Sequence, residues 1–344
     1  MPISHNREFD PRYGECVQVA PLIRRVVANN PNPFTFTGSG VYIIGRGELA
    51  VIDPGPSLPS HLDAIEACLG TDESIDRILV THTHTDHTAG VPALRSRTSA
   101  QTYGFGPHGP VSADDPLDRL DFSKYISTEE RAEFEREWAD LPDELKREGP
   151  DTSFAPDVVV GHGSADARGV SDTIEGRGWS IEVVHTPGHT SNHVCFRLED
   201  DGAGQSVLFT GDHVMGWATS VISPPDGDLT DYLASLRRLL LVEDDVYLPT
   251  HGPAIEEPLP YVQSFIEHRD GRTRQLIAEL KAGPSTVVDI VPRMYSDVDK
   301  RLWRAAGNSV FSHLLTLRDQ GVATTVDGAD SITSVWRLTN KVVE

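Results

Sequence analysis

Between Thr81 and Gly90 the chain reads T-H-T-H-T-D-H-T-A-G, a stretch that few folds can accommodate. It follows Ile78-Leu79-Val80, an apolar run that predicts a buried strand. His82, His84, Asp86 and His87 then place four metal-ligating side chains within six residues. Neutral imidazole and carboxylate suit zinc, manganese or iron. In an extended segment, alternation puts His82, His84 and Asp86 on one side. His87 reaches a different point only if the backbone turns, which the small residues after it permit. The spacing suggests two neighbouring metal positions. A polar, solvated loop is the plain alternative, and this register at the end of an apolar strand argues against it.

At 344 residues the chain fits two domains, or one large domain with an appendage. Hydrophobic residues make up 38%, enough for a sizeable core. The formal charge is −22. A protein that holds nucleic acid is expected to show a basic face, so small-molecule partners gain weight. Cys16, Cys68 and Cys195 are far apart and odd in number; no disulfide framework is implied, and each is expected to be an ordinary thiol. The N-terminal residues lack the apolar core of a signal peptide, and no window approaches 18 uninterrupted apolar residues. No membrane span and a cytoplasmic location are the resulting expectations.

Taken in order, residues 17–27 predict a strand broken at Pro21, and a Pro/Gly/Asn-rich loop fills 29–40. Residues 41–44 and 49–52 read as a hairpin across G-R-G, followed by Asp53-Pro54-Gly55. Residues 61–70 and 91–95 have helical patterns. Residues 113–157 change character, with 15 Asp and Glu against 6 Lys and Arg. A helix at 128–138 is expected inside this segment, which reads as a solvated acidic insertion or as a lid or subunit contact. Strands at 158–160, 181–184, 194–198, 207–209 and 246–248 follow, with an amphipathic helix at 232–241. Three of these strands lead to His189, Asp212 and His251, repeating the event at His82: an apolar strand, then a ligand-type side chain where the chain leaves it. Beyond Val262 the pattern turns helical (262–280, 286–294, 299–320) and closes with short strands around Asp327-Gly328, a winged-helix order. Lys300, Arg301 and Arg304 cluster there without forming a basic stripe, so a packing or dimerisation module is favoured over duplex binding.

With these residues placed, the chain resembles the metallo-β-lactamase-fold hydrolase superfamily. The motifs are V-I-D-P-G at 51–55, T-H-T-H-T-D-H-T-A-G at 81–90, T-P-G-H-T at 186–190, T-G-D-H at 210–213 and P-T-H-G-P at 249–253. N-P-F-T-F-T-G-S-G-V-Y-I-I-G and the C-terminal segment are similar to the β-lactamase-like protein 2 group, whose members include endoribonucleases of single-stranded RNA. The resemblance implies an α/β, four-layer αβ/βα sandwich over 1–262, with an acidic insertion at about 110–157 and a winged-helix-like domain at 263–344. It implies one metal held by His82, His84 and His189 and a second by Asp86, His87 and His251, with Asp212 bridging. Asp53 would support the site from behind.

Two divalent ions, zinc first and manganese or iron as alternatives, lower the pKa of a shared water toward ~7 and polarise the scissile group. A hydroxide bridging the metals then attacks without a serine or cysteine nucleophile. Asp86 is the expected catalytic carboxylate, accepting a proton or orienting the hydroxide. His213 and His185 are proton-donor candidates set against plain structural roles. His193 is expected to pack on a helix face, and Tyr103, His108 and Trp217 are candidate pocket walls. Two functions follow: a metal-dependent hydrolase of a small ester, thioester, lactone or amide, or an endoribonuclease acting on single-stranded RNA. The acidic charge favours the first, since an RNA strand needs a basic path. A homodimer is compatible with either.

Overall fold

The computed structural model describes residues 3–108, 119–140 and 149–340. Strands β1 (Val17–Ala20), β2 (Ile23–Val27), β3 (Gly40–Ile44) and β4 (Glu48–Ile52) run antiparallel. They continue into β5 (Ser74–Leu79), β6 (Gln101–Gly104) and β7 (Val158–Val159), paired parallel in sequence order. The parallel half needs crossovers. Helices α1 (Pro59–Ala67), α2 (Thr85–Thr88) and α3 (Val91–Thr98) lie within the first two. The acidic segment, with α4 (Thr128–Asp140), lies before β7.

The second sheet has the order β12 (Val246–Pro249), β11 (Val207–Gly211), β10 (Val194–Leu198), β9 (Trp179–His185), β8 (Val170–Gly176). Helix α5 (Leu229–Leu239) connects β11 to its parallel neighbour β12 and is capped by the Asp228 carboxylate, which accepts from the Asp231 amide. Side chains alternate across each strand. Tyr42, Ile44, Ile52 and Leu79 face Val183, Phe196, Phe209 and Leu248 between the sheets. Their neighbours Val41, Ile43, Val51 and Ile78 pack outward against Leu62, Ile65 and Leu94 of α1 and α3. On the far side Val184, Cys195, Leu208 and Tyr247 meet Tyr232, Leu236 and Leu239 of α5. The layers are therefore helix, sheet, sheet, helix. Strands buried on both faces read as continuous apolar runs, and for that reason they were visible in the sequence.

Helix α6 (Pro258–Lys281) runs unbroken across position 262/263. Val262, Phe265 and Ile266 belong to the core under α5, whereas Leu276 and Leu280 belong to a separate C-terminal core. That core holds α7 (Val287–Met294), α8 (Trp303–Asp319) and the hairpin β13 (Ala323–Thr325)–β14 (Trp336–Leu338). Leu120, Phe122 and Tyr125 from the acidic segment pack into it. Glu130 pairs with Lys300 at 2.9 Å and Glu137 with Arg301 at 2.9 Å, so α4 is docked on the C-terminal module. The returning limb lies elsewhere: the Gly149 carbonyl accepts from the Thr85 amide, and the Asp151 amide donates to the Thr83 carbonyl.

Cys16 and Cys68 form a disulfide, their Cα atoms 5.4 Å apart, which overturns the expectation of three separate thiols. The cause is tertiary. The segment leading into β1 lies beside α1, bringing together residues 52 positions apart. Cys195 is a free, buried thiol. No helix among the described residues is long and apolar enough to cross a membrane.

Candidate metal centre

Strand β5 delivers the ligand stretch to one edge of the two sheets. The alternation expected to group Asp86 with His82 and His84 stops at His84. That residue is extended (φ −74°, ψ 147°) and caps the single turn of α2, so Asp86 and His87 project from a helix. This turn redirects two of the four side chains to a second point.

Seven side chains converge in two groups. His82, His84, His189 and Asp212 offer ligand atoms within 4.8 Å of one another, as do Asp86, His87 and His251. His84 Nδ1 lies 2.9 Å from His82 Nε2 and 3.1 Å from His189 Nε2. His251 Nε2 lies 3.1 Å from Asp86 Oδ2, and His87 Nε2 lies 3.4 Å from the same oxygen. Asp212 faces both groups. Its Oδ2 is 3.7 Å from His189 Nε2, while its Oδ1 is 3.3 Å from His251 Nε2 and 3.5 Å from His87 Nε2.

The outer ring nitrogens are engaged. His87 Nδ1 meets Asp53 Oδ2 at 2.8 Å, His189 Nδ1 meets the Val221 carbonyl at 2.6 Å, and His251 Nδ1 meets the Gly38 carbonyl at 3.2 Å. Each acceptor holds a proton on the outer nitrogen and turns the inner lone pair toward the site. Asp53, in a left-handed conformation at the end of β4 (φ 50°), is itself held by the Thr81 amide and hydroxyl and by the Thr250 hydroxyl. Gly188, in T-P-G-H-T, has φ 140°, and a Cβ there would meet the Tyr232 backbone at 2.3 Å, so only glycine permits this turn before His189.

His87 Nε2 and Asp212 Oδ1 are buried with no hydrogen-bond partner. Buried polar atoms are almost always satisfied, so two orphans at the junction of both groups fit a cation held there. The charge pattern agrees. Burial, with His189 beside it, pushes His84 down to about 3, and burial with His87 and His84 holds His82 well below its usual value. Burial opposes charge on His251 and His87 too, but the Asp212 and Asp86 carboxylates raise His251 to about 10, and Asp86, Asp53 and Asp212 raise His87. His82 and His84 are thus held neutral, while His87 and His251 are paired as cations with carboxylates where a metal would sit.

The remaining candidates fall outside both groups. His213 is fully buried between the rings of His193 and Tyr232, with both nitrogens unpartnered, and burial pushes it down to about 3. A ring packed there, outside both donor groups, suits a structural role better than proton donation. His185 stacks on Phe105 at 4.2 Å and meets the Ser191 carbonyl at 3.1 Å. His193 is not on a helix, contrary to expectation. It follows the turn at Ser191–Asn192, immediately before β10, and meets Thr186 Oγ1 at 2.9 Å. Tyr103 packs against the inter-sheet core, and His108 Nδ1 rests on Thr83 Oγ1 at 3.0 Å. Trp217 stacks on Phe36 at 4.8 Å with planes 10° apart.

Phe36 has φ 57°, an outlier for a bulky residue. With Ser39, whose hydroxyl is 3.4 Å from Asp86 Oδ2, it escaped the sequence reading inside a turn-rich loop. The Gly38 and Val221 acceptors are backbone atoms with no sequence signature.

A four-layer sandwich with a histidine–aspartate cluster at the sheet edge defines the class of metallo-β-lactamase-fold hydrolases. Residues 35–251 match the metallo-beta-lactamase superfamily, and residues 286–331 match the beta-lactamase associated winged helix domain. The chain belongs to the metallo-beta-lactamase superfamily, a family of metal-dependent hydrolases, and is an enzyme of that kind. It is 28% identical over 322 residues to the beta-lactamase-like protein 2 homolog of Drosophila melanogaster, covering 92% of this chain and 94% of that one. The homolog of that name from Caenorhabditis elegans is 26% identical over 309 residues, covering 89% and 87%. A crystal structure of a beta-lactamase domain protein from Burkholderia ambifaria shares the fold at TM-score 0.70 and 21% identity, covering 96% of each chain.

Proposed function

We propose that the chain is a binuclear, zinc-dependent hydrolase of small esters, thioesters, lactones or amides. Asp212 carries the reading, because its two oxygens face different donor groups, as a carboxylate shared by two ions would. His82, His84 and His189 hold the first ion, and Asp86, His87 and His251 hold the second. Bound metal supplies an acidified water, from 15.7 toward ~7, and polarises the scissile oxygen. The chain supplies the rest. Asp53, Val221 and Gly38 fix the imidazole tautomers, and Asp86 is the carboxylate placed to take a proton from the attacking water. Phe36 and Trp217, beside Gly252 and His251, form an apolar wall suited to the acyl part of a substrate.

Cleavage of single-stranded RNA is the second reading, drawn from the resemblance and the winged-helix module. Lys300 and Arg301, two cations of the C-terminal cluster, are paired with Glu130, Glu137 and Asp299. That pairing and the −22 charge support the small-molecule reading. Metal analysis, then a panel of esters, thioesters, lactones and a labelled single-stranded RNA at physiological salt, tests both. Two bound ions and ester turnover lost in His84→Ala are expected. A chain that refuses divalent metal on titration, or that cleaves only the RNA, refutes the first reading.

A further inference from the structure

Residues 218–228 leave the Asp212 turn and reach α5 without regular structure. Within this loop sits the Val221 carbonyl, which receives His189 Nδ1 at 2.6 Å and so aims Nε2 at His84 and Asp212. A carbonyl on irregular backbone is a reliable fixed point only if the loop itself is held.

The C-terminal helices hold it on both sides. Arg269 of α6 donates Nη2 to the Ser220 carbonyl, one residue before Val221, and Asn308 of α8 donates Nδ2 to Ser223 Oγ, two residues after it. Both side chains are buried, at 3% and 2% exposure. Arg269 lies over the Tyr232 ring at 5.4 Å and gives Nη1 to Ser309 Oγ at 3.3 Å, yet it makes no ion pair among the described residues and its Nε has no partner. A buried guanidinium without a counter-ion is an unfavourable way to fill a helix interface, where an apolar side chain packs at lower cost. Its recognisable task is to fix the Ser220 carbonyl.

We propose that the C-terminal module is part of the metal centre's scaffold: Arg269 and Asn308 are positioning residues that set the orientation of His189 through Ser220, Val221 and Ser223. The proposal rests on the reading of His189 as a metal ligand. It also explains why the module is fused through an unbroken α6 instead of a flexible linker.

The test uses the full chain in a His251→Ala background, which isolates the His82/His84/His189/Asp212 position. Zinc affinity is measured by chelator competition, with the cobalt-substituted absorption spectrum alongside. Arg269→Met and Asn308→Ala should each weaken zinc about tenfold, the lower end of the 10–100-fold range for partners behind a ligand, and shift the cobalt bands. Arg269→Lys should recover most of the affinity. Should Arg269→Met fail to fold, Asn308→Ala carries the test alone. Folded variants with parental affinity and spectrum, even if they melt earlier, overturn the proposal. A parent chain that takes up no metal at either position overturns the functional reading itself, and the scaffold role with it.

Discussion

His87 Nδ1 and Asp53 Oδ2 meet at 2.8 Å with both side chains sealed from water, whereas His189 and His251 turn their outer nitrogens to backbone carbonyls. Asp53 also gathers the Thr81 and Thr250 hydroxyls, so one carboxylate ties together the ends of β4, β5 and β12. Asp53→Asn keeps the shape but removes the charge and can present an N–H to His87. Metal affinity at the Asp86/His87/His251 position should fall about 10–100-fold. Chelator competition on the variant measures this, and unchanged affinity would show that the pair serves folding alone.

Phe36 and Trp217 make a prediction about selectivity. A bulky residue held at φ 57° sits in a sparsely populated region that persists only where surrounding contacts enforce it, and such residues gather at functional sites. The loop carrying Phe36 also supplies the acceptor for His251. Phe36→Ala should raise KM for esters with bulky apolar acyl groups by about tenfold, in line with ~1–3 kcal/mol for lost apolar contact. Turnover of acetyl esters should change little. Equal losses on both substrates would mean that the ring holds the loop and does not touch the acyl group.

The donor residues that could hold metal were legible because their chemistry is written in side chains. His82, His84, His189, Asp212 and His251 each end or follow an apolar strand, where imidazole and carboxylate are conspicuous. Strands β3, β4, β10 and β11, buried on both faces, were equally plain. What stayed hidden depends on three-dimensional proximity. The destination of Asp86 was decided by the helical turn at Thr85, and strict alternation would have sent it to the wrong group. Strand β8 has only one buried residue in seven, so it carries no apolar pattern. Helix α4 looked like a free acidic insertion, because its partners Lys300 and Arg301 lie about 170 positions away.

The Cys16–Cys68 bridge closes a 52-residue separation. On the chain-entropy account such a loop stabilises by up to ~4 kcal/mol, with 2–4 kcal/mol typical. Cys16→Ser should lower the unfolding free energy by about that amount in urea titrations, and added reductant should do the same to the parent chain and nothing to the variant. The bridge lies at the C-terminal end of α1 and neither cysteine belongs to the donor groups, so zinc affinity should not change. Identical urea midpoints with and without reductant would show that the bridge does not stabilise the fold.

His313 offers a pH test inside the C-terminal core. It is 2% exposed, its Nδ1 meets Thr273 Oγ1 at 2.9 Å, and its Nε2 has no partner. Burial, reinforced by the cationic Arg269, lowers its pKa from 6.5 to about 3. The folded chain keeps this ring neutral where the unfolded chain protonates it. Above pH 6.5 both states are neutral and the residue adds no pH dependence. Between pH 6.5 and about 3 the unfolded state binds the extra proton, so stability falls as pH falls, by at most ~1.4 kcal/mol per pH unit for one proton. His61 and His268, each lowered to about 4, add to the same slope. In His313→Gln the slope of unfolding free energy against pH between 6 and 4.5 should be shallower by up to one proton, whatever the change in absolute stability. An unchanged slope in urea titrations across that window would mean that water or a rearrangement lets His313 protonate within the folded state.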